Sequence, residues 1–191
     1  MMQGYQCIQW QVFHTLGKFL QKTSLEHITI KELCQECHIS RQTFYKYFQD
    51  KYEVINWHFD LLADNSLKQI GRTLNWRTAY SKLLWGLYNA KDVYTKDIYT
   101  DDYNSIKNHA ARYSRELFMD TLTAYLKIAP TNLLLFQLST LALTFTELIF
   151  NWAKNGMKES PEDYVDMLTT LLPQDLKYTF ESPSPLLQPN V

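Results

Sequence analysis

Apolar residues recur at intervals of three and four along almost the whole chain, and strand-like alternation is absent. That spacing places one side of each segment on a common helical face and predicts an all-α protein. Ile8, Val12, Leu16 and Leu20, reinforced by Phe13, form the inward stripe of a first helix from about Tyr5 to Lys22. Two short helices follow, each with its own start signal: Thr29 with Glu32 three residues on, then Ser40. Asp50-Lys51-Tyr52-Glu53 repeats the capping-box pattern and opens a long fourth helix to about Arg72, with Trp57, Leu61 and Leu62 on one face. Further helices are expected over Trp76–Asn89, Lys96–Asn108 and Ala110–Lys127, with Pro130 stopping the last. Thr131 or Asn132 then opens a helix to about Asn155 that Gly156 can end. Ser160, Pro161, Glu162 and Asp163 supply a cap, a first-turn proline and first-turn acids for a final helix to about Leu172.

Composition changes this picture little. At 191 residues with only 5 glycines, the chain has room for a small unit and a larger one. Net charge is −1, so no overall basic field advertises nucleic acid. Residues 1–52, however, hold six Lys/Arg against four acids, and the remainder holds 13 against 16. The segment Asn132 to Ala153 carries a single charge, Glu147, and is long enough to span a bilayer. Its polar residues Gln137, Thr140, Thr144, Glu147 and Asn151 form one narrow stripe, which favours a buried association helix over a membrane span.

The chemistry concentrates in residues 29–51. A tight turn joins the two short helices, and the second displays Arg41, Gln42, Thr43, Tyr45 and Lys46. A short helix with that hydrogen-bonding reach suits the DNA major groove, where Arg pairs with guanine and Gln with adenine. Leu33, Ile39, Phe44 and Phe48 fit the apolar core of such a helix-turn-helix.

The run from Ser40 to Lys51, with Thr29 opening the second helix and Ile39-Ser40 at the turn, resembles the DNA-binding signature of the TetR family of transcriptional regulators. The resemblance is specific over about residues 8–60 and architectural beyond. It implies phosphate contacts by Thr29, Thr43, Tyr45, Tyr47 and Lys51, base contacts by Arg41 and Gln42, and either role for Lys46. Ser40 belongs to the same interface as the cap. The helix pattern sets a three-helix DNA-binding domain over 1–52, a helix shared with a larger domain over 53–178, and a tail over 179–191 whose prolines read as disorder; the resemblance implies that the larger domain binds an effector and dimerises. Such a protein would act as a homodimer on palindromic double-stranded DNA, most simply as a repressor. The sequence departs from the family at His38, where glycine is usual in the turn, and at Cys34 and Cys37, where small residues are usual.

Other readings are weaker. Cys34-Gln35-Glu36-Cys37-His38 matches the c-type haem attachment pattern. The N-terminus carries no secretory signal, though, and the expectation is a cytoplasmic protein with reduced thiols. Zinc would need a second Cys/His pair at metal spacing, and two thiols one turn apart leave a redox role open. There is no phosphate loop, nucleophile elbow or paired-acid motif, so no enzyme, cofactor or metal is expected. Tyr88, Tyr94, Tyr99, Tyr103, Tyr113, Phe118 and Tyr125 fall where TetR-like proteins enclose an effector; they suit a small, largely apolar ligand, or else simply fill the helical core. Finally, residues 151–162 resemble the ending of a TetR branch that includes regulators of dihydroxyacetone kinase genes. That likeness implies a rival reading, a TetR-fold binding module whose effector is a protein partner.

Overall fold

The computed structural model describes residues 4–96, 98, 105–174 and 176. Its described elements are helical, and a single bridge between Ile70 and Leu74 is the sole β pairing among them. The fold is all-α. The element order is α1 (Gly4–Leu20), α2 (Ile30–Glu36), α3 (Arg41–Tyr45), α4 (Lys51–Asp64), α5 (Trp76–Asn89), α6 (Lys91–Tyr94), α7 (Ile106–Asp120), α8 (Asn132–Lys154) and α9 (Pro161–Thr169).

Side-chain caps set most helix starts. Thr29 and Glu32 form a reciprocal capping box on α2. Ser40 accepts from the Thr43 N–H at 3.0 Å, and Asp50 accepts from the Glu53 N–H at 2.8 Å. Asn75, Thr131 and Ser160 do the same for α5, α8 and α9. Each cap satisfies an N–H that the helix itself leaves unpaired.

α1 to α3 enclose a small core of Val12, Phe13, Leu16, Leu25, Leu33, Phe44 and Phe48, all buried. α4 leaves this unit and packs against α1 on one side and against α5 and α7 on the other. Trp57 meets the edge of Phe48 at 5.9 Å and so ties α4 to the end of the short-helix pair. In the larger unit α7 packs on α8 and α5 on α9. Trp76 lies 4.0 Å from Tyr80 and 5.1 Å from Phe145, ring centroid to centroid.

Five segments depart from the sequence expectation. α4 ends at Asp64 rather than Arg72, because Asn65 Nδ2 and Ser66 Oγ donate to the Leu61 and Leu62 carbonyls and compete with the next helical N–H groups. A 3₁₀ turn at Leu67–Gln69 and Gly71 at φ 71° complete the break. Of the helix expected over Lys96–Asn108, Lys96 and Ile98 are not helical, and residues 106–108 belong to α7. A single turn, α6, precedes it, and Ser105 caps a new helix that runs through Ala110. That helix passes at Thr121–Tyr125 into a π-helical turn closed by the Leu126 N–H on the Thr121 carbonyl, short of the Lys127 end expected. α1 stops at Leu20 and α9 at Thr169, two and three residues early. The tail beyond residue 179 lies outside the described residues.

Candidate nucleic-acid interface

α2, the turn and α3 carry the sequence-predicted residues into one place. The turn closes as a Schellman motif: His38 N–H donates to the Gln35 carbonyl at 3.2 Å and Ile39 N–H to the Cys34 carbonyl at 3.0 Å. His38 sits at φ 52°, the left-handed region, which costs a residue with a Cβ roughly 1 kcal/mol. The turn therefore keeps its shape with histidine where glycine would be unstrained.

α3 has a sharply divided surface. Phe44 is fully buried and Phe48 nearly so, and Ile39 is half-buried beside them. On the other face Arg41, Gln42, Tyr45 and Lys46 are exposed, Tyr45 at 55%. The Tyr45 ring stands perpendicular to Phe44 at 5.6 Å, which holds it upright on the apolar floor. Thr43 is half-buried, its Oγ1 2.9 Å from Ser40 Oγ, and Tyr47 is half-buried at the end of α3. Thr29 is exposed at the start of α2, with Oγ1 donating to Glu32 at 2.6 Å. Its hydroxyl is already engaged, as capping requires.

Lys51 is more occupied than its spacing suggested. Its Nζ donates to the Glu26 carbonyl at 2.7 Å and the Ile28 carbonyl at 2.9 Å. Burial lowers its pKa, against the opposing pull of Glu26 and Asp50. Two of its three protons thus brace the loop before α2, a job that only a contact across 23 to 25 residues reveals. Gln11 makes a similar brace, its Nε2 donating to the Cys37 carbonyl at 3.0 Å.

Cys34 and Cys37 are buried as free thiols, and burial pushes both pKa values up. Raised pKa and burial make a thiol a packing residue rather than a reactive one. Among the described residues no group of three or more His, Cys, Asp or Glu is placed to hold a metal. The aromatic residues of the larger unit serve mainly as filling. Tyr94 and Phe118 are buried, Tyr88, Tyr113 and Tyr125 are half-buried, and Arg72 lies over the Tyr125 ring at 4.9 Å. Tyr99 and Tyr103 lie outside the described residues. The void between Phe59, Tyr80, Phe145 and Phe150 measures about 10 Å³, space for at most one water.

A capped pair of short helices with a polar outward face, mounted on a helical body by a shared helix, defines a helix-turn-helix transcriptional regulator. The family model for the TetR transcriptional regulator C-terminal region matches residues 74–174, and the chain belongs to the TetR family. The fold is similar to that of a dihydroxyacetone kinase operon activator, DhaS, with TM-score 0.62 and 22% identity over 92% of this chain and 98% of that one. It is also similar to a TetR transcriptional regulator from Rhodococcus sp. RHA1, with TM-score 0.55 and 16% identity over 90% of this chain and 99% of that one. No curated protein sequence matches the chain.

Proposed function

We propose that the chain is a ligand-responsive repressor that binds a palindromic operator as a homodimer. Residues 1–52 form the DNA reader and residues 53–178 the effector-binding and dimerisation domain. Arg41 and Gln42 contact base edges, Thr29, Thr43, Tyr45, Tyr47 and the remaining Lys51 proton contact phosphates, and Lys46 reaches either. One observation carries this reading: the exposed polar face of α3 stands on an otherwise closed apolar core. Folding does not need four large polar or aromatic side chains aimed at water, and base-edge chemistry does.

The second subunit docks on α8 and α9. Leu133, Phe136 and Leu143 on α8, with Met167 on α9 and Leu171 just beyond it, are 51 to 69% exposed. Thr140, Thr144, Glu147 and Asn151, the polar stripe of α8, share the solvent side. α8 is long and apolar enough to cross a membrane by length and composition, and 39% of its most apolar window is buried inside the chain. Pairing two such faces removes the apolar residues from water and sets two copies of α3 about one DNA turn, ~34 Å, apart. An effector preferring another arrangement would move α4, which touches both units, and change that spacing.

Selection of duplexes from a random pool tests the proposal. The expected product is an inverted repeat with half-sites one turn apart, retained less as salt rises. Absence of enrichment, or a single unrepeated site, overturns it. A second reading, a binding module acting through a protein partner, draws on the same exposed α8–α9 face and on the likeness to an operon activator. It predicts that the purified chain retains no duplex until a partner is supplied.

A further inference from the structure

A sizeable cavity lies at the edge of the body rather than among the aromatic residues of its interior. It is a cleft of about 610 Å³ where α1 meets α4, α5 and α6. That volume is in the range of small-molecule sites and far above a packing defect. Its walls are apolar and partly aromatic, built by Trp10 and Phe13 of α1, Leu62 of α4 and Val93 of α6. One end is drawn closed where Gln21 Nε2 donates to the Asp92 carbonyl at 2.7 Å. There Gly17 brings α1 so near α6 that a Cβ would stand 3.2 Å from Val93.

Among the polar residues that line the cleft, His58 is the buried one. His58 is 4% exposed and lines the cavity, its ring stacked 4.0 Å from Phe13. Its Nδ1 lies 2.9 Å from the buried Tyr94 hydroxyl, and its Nε2 has no hydrogen-bond partner among the described residues. Burial, with His14 nearby, lowers its pKa to about 4, so the ring is neutral at neutral pH. The tautomer in which the Tyr94 hydroxyl donates to Nδ1 carries the ring proton on Nε2. The cleft therefore offers apolar, partly aromatic walls with His58 set among them, and Lys18, Gln21 and Asn89 bring further N–H donors to its exposed rim.

We infer that the α1–α4–α6 cleft binds a planar aromatic molecule bearing a carbonyl-type oxygen, which accepts a hydrogen bond from His58 Nε2. The site rests on the ligand-responsive reading above only for its consequence, because a molecule wedged between α1 and α6 separates the reader from the body. Its occupancy stands on the geometry alone. Lys18 and His14 at the rim favour an acidic oxygen, and Asp92 at the same rim opposes it, which leaves a neutral carbonyl as the simplest occupant.

Calorimetric titration with coumarin, using naphthalene as the analogue without oxygen, tests the assignment. One coumarin should bind per chain. His58→Phe should weaken coumarin roughly tenfold and leave naphthalene unchanged. Asn89→Trp, which fills the cleft from an exposed rim position, should abolish both and keeps the test usable if the His58 variant does not fold. No heat from coumarin with the native chain, or unchanged affinity in both variants, overturns the site. Coumarin binding with no change in affinity for a selected duplex supports the site and removes its regulatory consequence. Arg41→Ala with Gln42→Ala should leave coumarin binding intact, and its loss in that variant would place the site elsewhere.

Discussion

The two ends of this chain expose opposite kinds of residue. α3 turns its apolar side chains in and leaves Arg41, Gln42, Tyr45 and Lys46 in water, whereas α8 and α9 leave Leu133, Phe136, Leu143 and Met167 there. A polar face in water is the usual state of a surface helix, whereas the apolar face is left exposed at a cost to the isolated fold. An exposed hydrogen-bonding face answers to a polar lattice such as nucleic acid, and an exposed apolar face answers to another protein surface. The shared helix α4 packs against α1 on one side and against α5 and α7 on the other, and the cleft proposed as a small-molecule site lies beside it.

The comparison can be broken from either side. Phe44→Ala should cost about 3–5 kcal/mol and disorder the small unit first, read by denaturant unfolding. If the loss is under 1 kcal/mol, α3 does not rest on that ring. Phe136→Glu with Leu143→Glu should weaken self-association at least a hundredfold, about 3 kcal/mol, while sparing the secondary structure; sedimentation would report a monomer. An unchanged mass would remove α8 from the interface.

Acid sharpens the link between the halves. His58 titrates near 6.5 when unfolded and about 4 when folded, so the unfolded chain binds the extra proton between those values. Stability should be level above pH 6.5 and fall by roughly 3 kcal/mol on the way to pH 4. In His58→Gln that slope should be reduced, and an identical slope would assign it to other groups. His38→Gly is the mildest case. It removes the left-handed strain and should raise thermal stability by roughly 1 kcal/mol. Destabilisation instead would mean that the His38 side chain contributes more than its backbone costs.

What could be foreseen from the residues follows from the range of each interaction. Caps at Thr29, Ser40, Asp50, Thr131 and Ser160 act over three residues, and they fell where the letters placed them. The turn at His38 was legible through the family resemblance, which expects glycine there. The end of α4 was readable in principle from Asp64-Asn65-Ser66, a local cluster outweighed by the apolar spacing around it. The bracing role of Lys51 and the His58–Tyr94 pair were not readable, because they join residues 23 to 36 apart through helix packing. The cleft follows suit. Its walls come from four helices, and no segment holds enough of them to mark a site.

Base reading by α3 is the proposal on which the rest of the mechanism hangs. The direct test repeats duplex selection with Arg41→Ala and Gln42→Ala together and compares the enriched sequences with those of the native chain. The double variant should still hold DNA in a salt-dependent way but lose preference at the bases the native chain selects, by about 1–3 kcal/mol per contact. Recovery of the same motif at the same strength would contradict the assignment.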